Sequence, residues 1–105
     1  MSDILKELAA TIQSRKGADP ESSWTARLLS AGAGKAAEKF GEEAVEAIVA
    51  AAKGERAELT REAADVLYHL LVMLTASGVT LDEVLAELER RKGVSGIDEK
   101  AGRKG

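Results

Sequence analysis

The stretch that decides the fold runs from Lys35 to Ser77 and reads KAAEKFGEEAVEAIVAAAKGERAELTREAADVLYHLLVMLTAS. It is rich in Ala, Leu, Glu and Lys, which favour helices, and Gly54 is a helix stop near its middle. Apolar residues recur at helical spacing on both sides of that glycine. The pattern predicts two long helices, Lys35–Lys53 and Arg56–Ser77, folded into an antiparallel hairpin. Gly41 inside the first helix predicts a close approach by another helix or by a ligand.

The second half of the later helix is apolar on nearly every face. A helix that is apolar all round must be buried on all sides, and a chain of 105 residues offers little protein to surround it. We therefore predict a homodimer in which this helix is central. The residues that carry the prediction are Val66, Leu67, Leu70, Leu71, Val72, Met73 and Leu74.

Shorter helices are predicted before the hairpin. An apolar stripe that includes Leu8 and Ile12 predicts a helix over residues 2–16, with Ser2 as its cap. Residues 17–23 combine Gly, Pro, Asp and Ser and predict a loop. A short helix is then expected from Trp24 to Ala31, ended by the glycines at 32 and 34.

After the hairpin, Thr80 and Glu83 form a capping-box pattern that predicts a last helix beginning at Thr80. Residues 93–105 are expected to form a basic tail beyond a single domain at residues 1–92. No repeat and no strand signal is evident in the sequence. The fold class predicted is all-α, a four-to-five-helix bundle completed by homodimerisation.

Composition excludes several classes of protein. With no Cys, the chain has neither a disulfide scaffold, nor a thiolate metal site, nor a cysteine nucleophile. Its net charge of −3 does not favour nucleic acid or an anionic membrane. The Met-Ser-Asp start lacks the features of a signal peptide, and no apolar run reaches membrane-spanning length. We expect a cytoplasmic protein that binds neither nucleic acid nor membrane.

Two acidic pairs stand out within the hairpin. Glu43 with Glu46, and Glu62 with Asp65, have the i, i+3 spacing that places both carboxylates of a pair on one helix face. Both pairs lie among small and apolar neighbours, and in a hairpin they can face each other. A third pair, Glu55–Glu58, lies among polar residues beside the turn and is expected to be ordinary solvated charge.

Converging carboxylates require a counter-charge. Two of them about 5 Å apart repel by roughly 3 kcal/mol at an effective dielectric of 20. Either some of the acids are protonated, or a cation lies between them, and oxygen ligands select Mg²⁺ or Mn²⁺. The alternative is a solvated acidic face, in which Lys39 pairs with Glu43 and Arg61 with Asp65.

Other residues of the hairpin and the short helix allow two interpretations. Glu42 is either a fifth acid of the cluster or a surface residue. Lys35 and Lys39 lie before the acids on the same helix and either hold phosphates or are solvated. Trp24 is a packing anchor or a platform for a nucleobase. His69, the single histidine, is expected to be a hydrogen-bonded packing residue.

The two acidic pairs resemble the four-acid signature of the all-α nucleoside triphosphate pyrophosphohydrolases, the MazG-like group. Within that group, longer segments resemble the phosphoribosyl-ATP pyrophosphohydrolase family in its stand-alone form. The resemblance covers nearly the whole chain. The segments that carry it are SWTARLL at 23–29, KFGEEAVE at 39–46, EAADVLYHLL at 62–71, GVTLDEV at 78–84 and SGIDEK at 95–100.

The resemblance implies hydrolysis of phosphoribosyl-ATP to phosphoribosyl-AMP and pyrophosphate with Mg²⁺, the second step of L-histidine biosynthesis, by a cytoplasmic homodimer. It implies that one carboxylate acts as general base and that Glu42 is a further metal ligand or positions the water. It assigns phosphate binding to Lys35, Lys39 and Arg27. The metal ligands implied are Glu43, Glu46, Glu62 and Asp65.

Two rival functions remain at this point. One is a related enzyme that cleaves dUTP, dCTP or damaged nucleotides, because the four acids are shared across the group. The other is a helical dimerisation module without catalytic activity, in which the acids are only a solvated face.

Overall fold

The computed structural model describes residues 3–92, and they form five helices without a strand. The predicted basic tail at 93–105 and the predicted cap Ser2 lie outside the described residues. The all-α prediction is confirmed for the described part of the chain. The helices are α1 (Ile4–Ser14), α2 (Trp24–Ser30), α3 (Ala33–Ala52), α4 (Arg56–Ala76) and α5 (Leu81–Arg91).

The hairpin of α3 and α4 is the central unit, and these two helices have the most extensive contact between elements. Gly54 reverses the chain with a φ of 70°, a conformation that glycine adopts without steric cost. The amide of Glu55 donates to the carbonyl of Ala50 at 3.1 Å, which closes the end of α3. The predicted hairpin is therefore confirmed, with its turn at the predicted glycine.

The hydrophobic core lies at one end of this hairpin. Its buried residues come from four helices, and those of α4 belong to its C-terminal half. In the N-terminal half of α4 the one buried residue is an acid, Glu62. The fold thus leaves the acidic half of the hairpin outside the core. The residues of the core are Ile12, Leu28, Ala36, Leu71 and Val72.

Two helix starts follow their capping signals. The Ser23 hydroxyl accepts from the amide of Ala26 at 3.0 Å, and the Thr80 hydroxyl accepts from the amide of Glu83 at 3.1 Å. The predicted start of α5 is confirmed. The predicted break over residues 32–34 is wrong in extent, because only Gly32 takes a positive φ, of 96°, and α3 already begins at Ala33.

The predicted burial of α4 on all sides is not found within residues 3–92 of a single chain. Leu67 is 43% exposed, and on α3 Ile48 is 66% exposed, with Val45 and Val49 exposed beside it. Apart from the neighbouring residues and backbone of its own helix, no described atom lies within 4 Å of a Cβ built on Gly41, so the predicted close approach by another helix does not occur between the described residues. In the same residues no single helix has the length and hydropathy of a membrane span, although α4 and α5 together do, as a pair bent by 109°.

Candidate metal centre

Three of the predicted acids come together where α3 and α4 face each other. Glu43 on α3, and Glu62 and Asp65 on α4, each offer a carboxylate oxygen, and these three atoms lie within 4.8 Å of one another. The helix period explains the arrangement, because Glu62 and Asp65 are one turn apart on a single face. Glu62 is buried, Glu43 is partly buried and Asp65 is exposed, so the cluster opens to solvent on one side.

Glu62 is the electrostatically strained member of this cluster. It is only 9% exposed, and its Oε1 atom is buried without a hydrogen-bond partner. A side-chain hydrogen bond with Glu58, together with burial and the charges of Glu46, Glu58 and Glu43, raises the pKa of Glu62 from 4.5 to about 7. A carboxylate in this environment is stabilised by a proton or by a cation.

A small cavity adjoins Glu62 on the side of the turn. Its volume is about 240 Å³, and Val45, Val49 and Ala50 form its apolar lining. The remaining lining residues all carry carboxylates, so the field in this cavity repels anions and attracts cations. These residues are Glu46, Glu55, Glu58 and Glu62.

The cluster of Glu43, Glu62 and Asp65 has the properties of a metal site. Its candidate ligands are all carboxylate oxygens, which suit hard divalent cations, and Glu62 carries a buried oxygen that lacks a donor. A cation held there would satisfy that oxygen and offset the repulsion between the three acids. The residues present therefore fit a bound metal ion.

Glu46 and Glu42, the other predicted acids, occupy different positions. Glu46 is exposed and is not one of the three clustered residues, although it lines the adjoining cavity and its charge contributes to the raised pKa of Glu62. Glu42 is exposed and forms an ion pair with Lys39 at 3.3 Å. The structure thus separates the four predicted ligands into a close group of three and a neighbour.

The predicted phosphate-binding residues lie on the surface in weak ion pairs. Lys35 contacts Glu38 at 3.5 Å, and Arg27 contacts Glu21 at 3.7 Å. Surface ion pairs of this kind contribute little to the free energy of folding, so Lys35 and Arg27 can exchange their carboxylate partners for other anions. Trp24 begins α2 and is 54% exposed, so it is not a core anchor of the single chain.

Glu58 is the residue of this region that sequence reasoning misjudged. It was expected to be solvated, but its side chain hydrogen-bonds to Glu62 and also accepts from Arg61 at 2.6 Å. The hydrogen bond and charge of Arg61 lower the pKa of Glu58, so Glu58 remains charged beside Glu62. The i, i+4 spacing of Glu58 and Glu62 was the available signal. The alternative ion pair of Arg61 with Asp65 does not form.

A group of hydrogen-bonding residues follows the acids along α4. His69 is 7% exposed, and its Nδ1 lies 2.9 Å from the carbonyl oxygen of Asp65, so the predicted hydrogen-bonded packing role is confirmed. The Tyr68 ring meets the His69 ring edge-on, with centroids 4.9 Å apart and planes at 88°. The Tyr68 hydroxyl hydrogen-bonds to the hydroxyl of Thr25 on α2. These contacts join α2 to the turn of α4 that follows the cluster of Glu43, Glu62 and Asp65.

The chain is similar to known proteins over nearly its whole length. The family model described as phosphoribosyl-ATP pyrophosphohydrolase matches residues 5–92. A phosphoribosyl-ATP pyrophosphatase of Dinoroseobacter shibae is 72% identical over 100 residues, which cover 95% of this chain and 98% of the relative. One from Cereibacter sphaeroides is 71% identical over 100 residues, covering 95% and 97%. One from Rhodobacter capsulatus is 71% identical over 99 residues, covering 94% and 96%. The chain belongs to the phosphoribosyl-ATP pyrophosphohydrolase family.

Proposed function

We propose that this protein hydrolyses phosphoribosyl-ATP to phosphoribosyl-AMP and pyrophosphate, the second step of L-histidine biosynthesis. Membership of the family supports the substrate. The observation that carries the chemistry is the buried, unpartnered carboxylate oxygen of Glu62, which lies beside Glu43 and Asp65. An all-oxygen site of this kind suits a cation that contacts phosphate oxygens.

Mg²⁺ is the metal that we propose for the site, with Mn²⁺ as a substitute of the same ligand preference. Glu43, Glu62 and Asp65 would hold it directly, and Glu46 would complete the ligand set from the adjoining cavity. When bound, the ion would neutralise the charge of the phosphoanhydride and orient it for attack by water.

Side chains around the cluster are proposed to bind the substrate and activate water. Lys35, Lys39 and Arg27 would exchange their surface partners for the phosphates, because those ion pairs are weak. Glu42 would position the attacking water or contribute a further ligand, and one carboxylate of the group would accept the proton of the water. Trp24 would stack on the nucleobase.

The proposed active form is a cytoplasmic homodimer. Val45, Ile48 and Val49 on α3 and Leu67 on α4 are large apolar side chains exposed on the hairpin that carries the acids. Exposed apolar side chains that recur on one helix face, as Val45, Ile48 and Val49 do by their spacing, mark candidate interaction sites on proteins. A second copy of the chain would cover it and provide the burial that α4 lacks within one chain. We also propose, from the sequence, that residues 1–92 form a single domain and residues 93–105 a basic tail.

The test is pyrophosphate release with Mg²⁺ from phosphoribosyl-ATP, with ATP and dUTP measured in parallel. Glu62→Gln and Glu46→Gln keep the side-chain volume and remove the charge. We expect release from phosphoribosyl-ATP alone, lost in Glu62→Gln and strongly reduced in Glu46→Gln. Glu89→Gln, in exposed α5, is the matched control and should retain full activity.

A second readout separates metal binding from turnover. Mg²⁺ should raise the melting temperature of the wild type, because a ligand that binds only the folded state stabilises it. Glu62→Gln should abolish this rise. A preference for dUTP would show that the substrate is not phosphoribosyl-ATP. A folded protein that lacks both activity and a response to Mg²⁺ would support the non-catalytic dimerisation module.

A further inference from the structure

A hydrogen bond between two hydroxyl groups joins the first turn of α2 to α4. Thr25 Oγ1 and Tyr68 Oη lie 2.5 Å apart in a partly buried contact between residues 43 positions apart in the sequence. Tyr68 follows Asp65 by three residues and so lies on the same face of α4, about 4.5 Å further along the helix axis. The contact therefore lies one helical turn from a residue of the metal cluster.

The Tyr68 ring has two packing contacts that restrict its position. It packs against the hydrophobic core, and the His69 ring meets it edge-on. His69 is fixed in turn by the hydrogen bond from its Nδ1 to the Asp65 carbonyl. Since a carbonyl oxygen only accepts, this contact requires the proton to be on Nδ1.

On the other side of the contact, α2 is anchored by its buried residues. Ala26 and Leu28 are buried in the core, and Ser23 caps the helix. The Thr25 hydroxyl then adds a contact from the first turn of α2 to α4. Trp24 precedes Thr25 directly and remains half exposed, so this hydrogen bond lies next to an indole that a ligand can reach.

We propose that Tyr68 is a positioning residue for the substrate. Through Thr25 it holds Trp24 at the place where the nucleobase of phosphoribosyl-ATP stacks while the phosphates lie at the metal cluster. The inference rests on the proposed function and adds to it the residue pair that sets the distance between base recognition and hydrolysis. Tyr68 itself does not contact the reacting atoms.

The experiment removes and restores the hydroxyl groups. Tyr68→Phe and Thr25→Val each delete one partner, whereas Thr25→Ser retains the hydroxyl. With phosphoribosyl-ATP and Mg²⁺, both deletions should raise KM by about 2- to 12-fold, the range of one net hydrogen bond, with little change in kcat. Thr25→Ser should restore the wild-type KM. The double deletion should raise KM no further than one deletion, because both variants remove the same bond.

Trp24 fluorescence provides a readout that is independent of turnover. It is the only tryptophan in the chain, so a titration with the product phosphoribosyl-AMP reports on this residue alone. The Kd should rise in both deletion variants by the same factor as KM. Thr80→Ala removes the hydroxyl cap of α5, beyond the end of α4, and should leave KM and Kd unchanged.

Three outcomes of these measurements would overturn the role of Tyr68 or the proposed function. An active wild type whose KM and Kd are unchanged in Tyr68→Phe and Thr25→Val would overturn this inference and leave the proposed function standing. An equal rise in KM for Thr80→Ala would overturn it too, since the effect would then be one of general stability. A wild type that releases no pyrophosphate would overturn the proposed function and the inference with it.

Discussion

The carboxylate of Glu62 is nine-tenths buried, and its charge is opposed by three neighbouring glutamates. Without a metal, folding must either protonate this group or bury a negative charge that lacks a donor. A cation bound there would relieve both the desolvation and the repulsion. The residue that destabilises the metal-free fold would therefore favour a metal-bound one.

The metal-free protein is expected to lose stability as the pH rises from about 4.5 to about 7. The pKa of Glu62 is raised from 4.5 to about 7 in the folded chain, so the folded state keeps a proton that the unfolded state releases in this range. The contribution of Glu62 is thus fully present below pH 4.5 and lost as the pH passes the folded pKa.

Urea unfolding in the presence of EDTA measures this dependence. Glu62→Gln cannot titrate, so its unfolding midpoint should change less than that of the wild type across the same pH range. Above pH 7 the variant should be the more stable of the two. If both proteins lost stability equally with pH, the raised pKa of Glu62 would not be the cause of the pH dependence.

At the scale of the elements, α4 has two halves with different tasks. Its C-terminal half contributes Leu71 and Val72 to the core, and its N-terminal half presents Glu62 and Asp65 to α3. The capped start of α5 follows the end of the core half. Stability of the helix ends can therefore be tested without altering the acids.

Removal of the α5 cap should destabilise the protein moderately. Thr80→Ala deletes the acceptor of the Glu83 amide and should lower the free energy of unfolding by about 1 kcal/mol. Thr80→Ser keeps the acceptor and should differ little from the wild type. Chemical denaturation of both variants measures the difference, and an equal loss in the serine variant would assign the effect to the methyl group instead.

The ion pairs at the end of α5 should weaken only in acid. Hydrogen bonds from Arg90 and Arg91 lower the pKa of Glu87 from 4.5 to about 2. Their contribution is present above pH 4.5 and is lost as the pH falls toward 2. The difference in unfolding midpoint between the wild type and Glu87→Gln should therefore shrink over that range. A difference that is constant with pH would contradict this assignment.

Local signals predicted the hairpin and the start of α5, because Gly54 and Thr80 act through the backbone next to them. The helix period also predicted that Glu62 and Asp65 share a face. Sequence spacing could not give the burial of Glu62, because burial depends on how α3 lies across α4. It also missed the hydrogen bond between Glu58 and Glu62, because the polar neighbours of Glu58 indicated an ordinary solvated charge.

At the scale of the whole molecule, the described chain leaves apolar surface on the face of the hairpin. Ile48 and its exposed neighbours lie on α3, and Leu67 lies on α4. In addition, α5 contains no buried residue, although it has an apolar stripe. Within residues 3–92, a single copy therefore leaves these apolar side chains exposed.

Sedimentation velocity should show a dimer for the wild type and a monomer for Ile48→Glu. A charge in the centre of the apolar face would have to be buried without a partner in the dimer. Thr11→Glu introduces the same charge at an exposed position of α1 and should leave the dimer intact. A monomeric wild type, or dissociation by both substitutions, would contradict the proposed interface.

The separation of core and acids along α4 has a consequence for how such a protein can change over generations. Substitutions around Glu43 and Glu46 alter charge and ligand geometry without removing a core contact, because the core residues lie at the other end of the hairpin. New substrates can then be explored at little risk to folding, whereas substitutions in the core half cost stability. Directed evolution toward another nucleotide should accordingly accumulate its changes in the acidic half and in the first turn of α2.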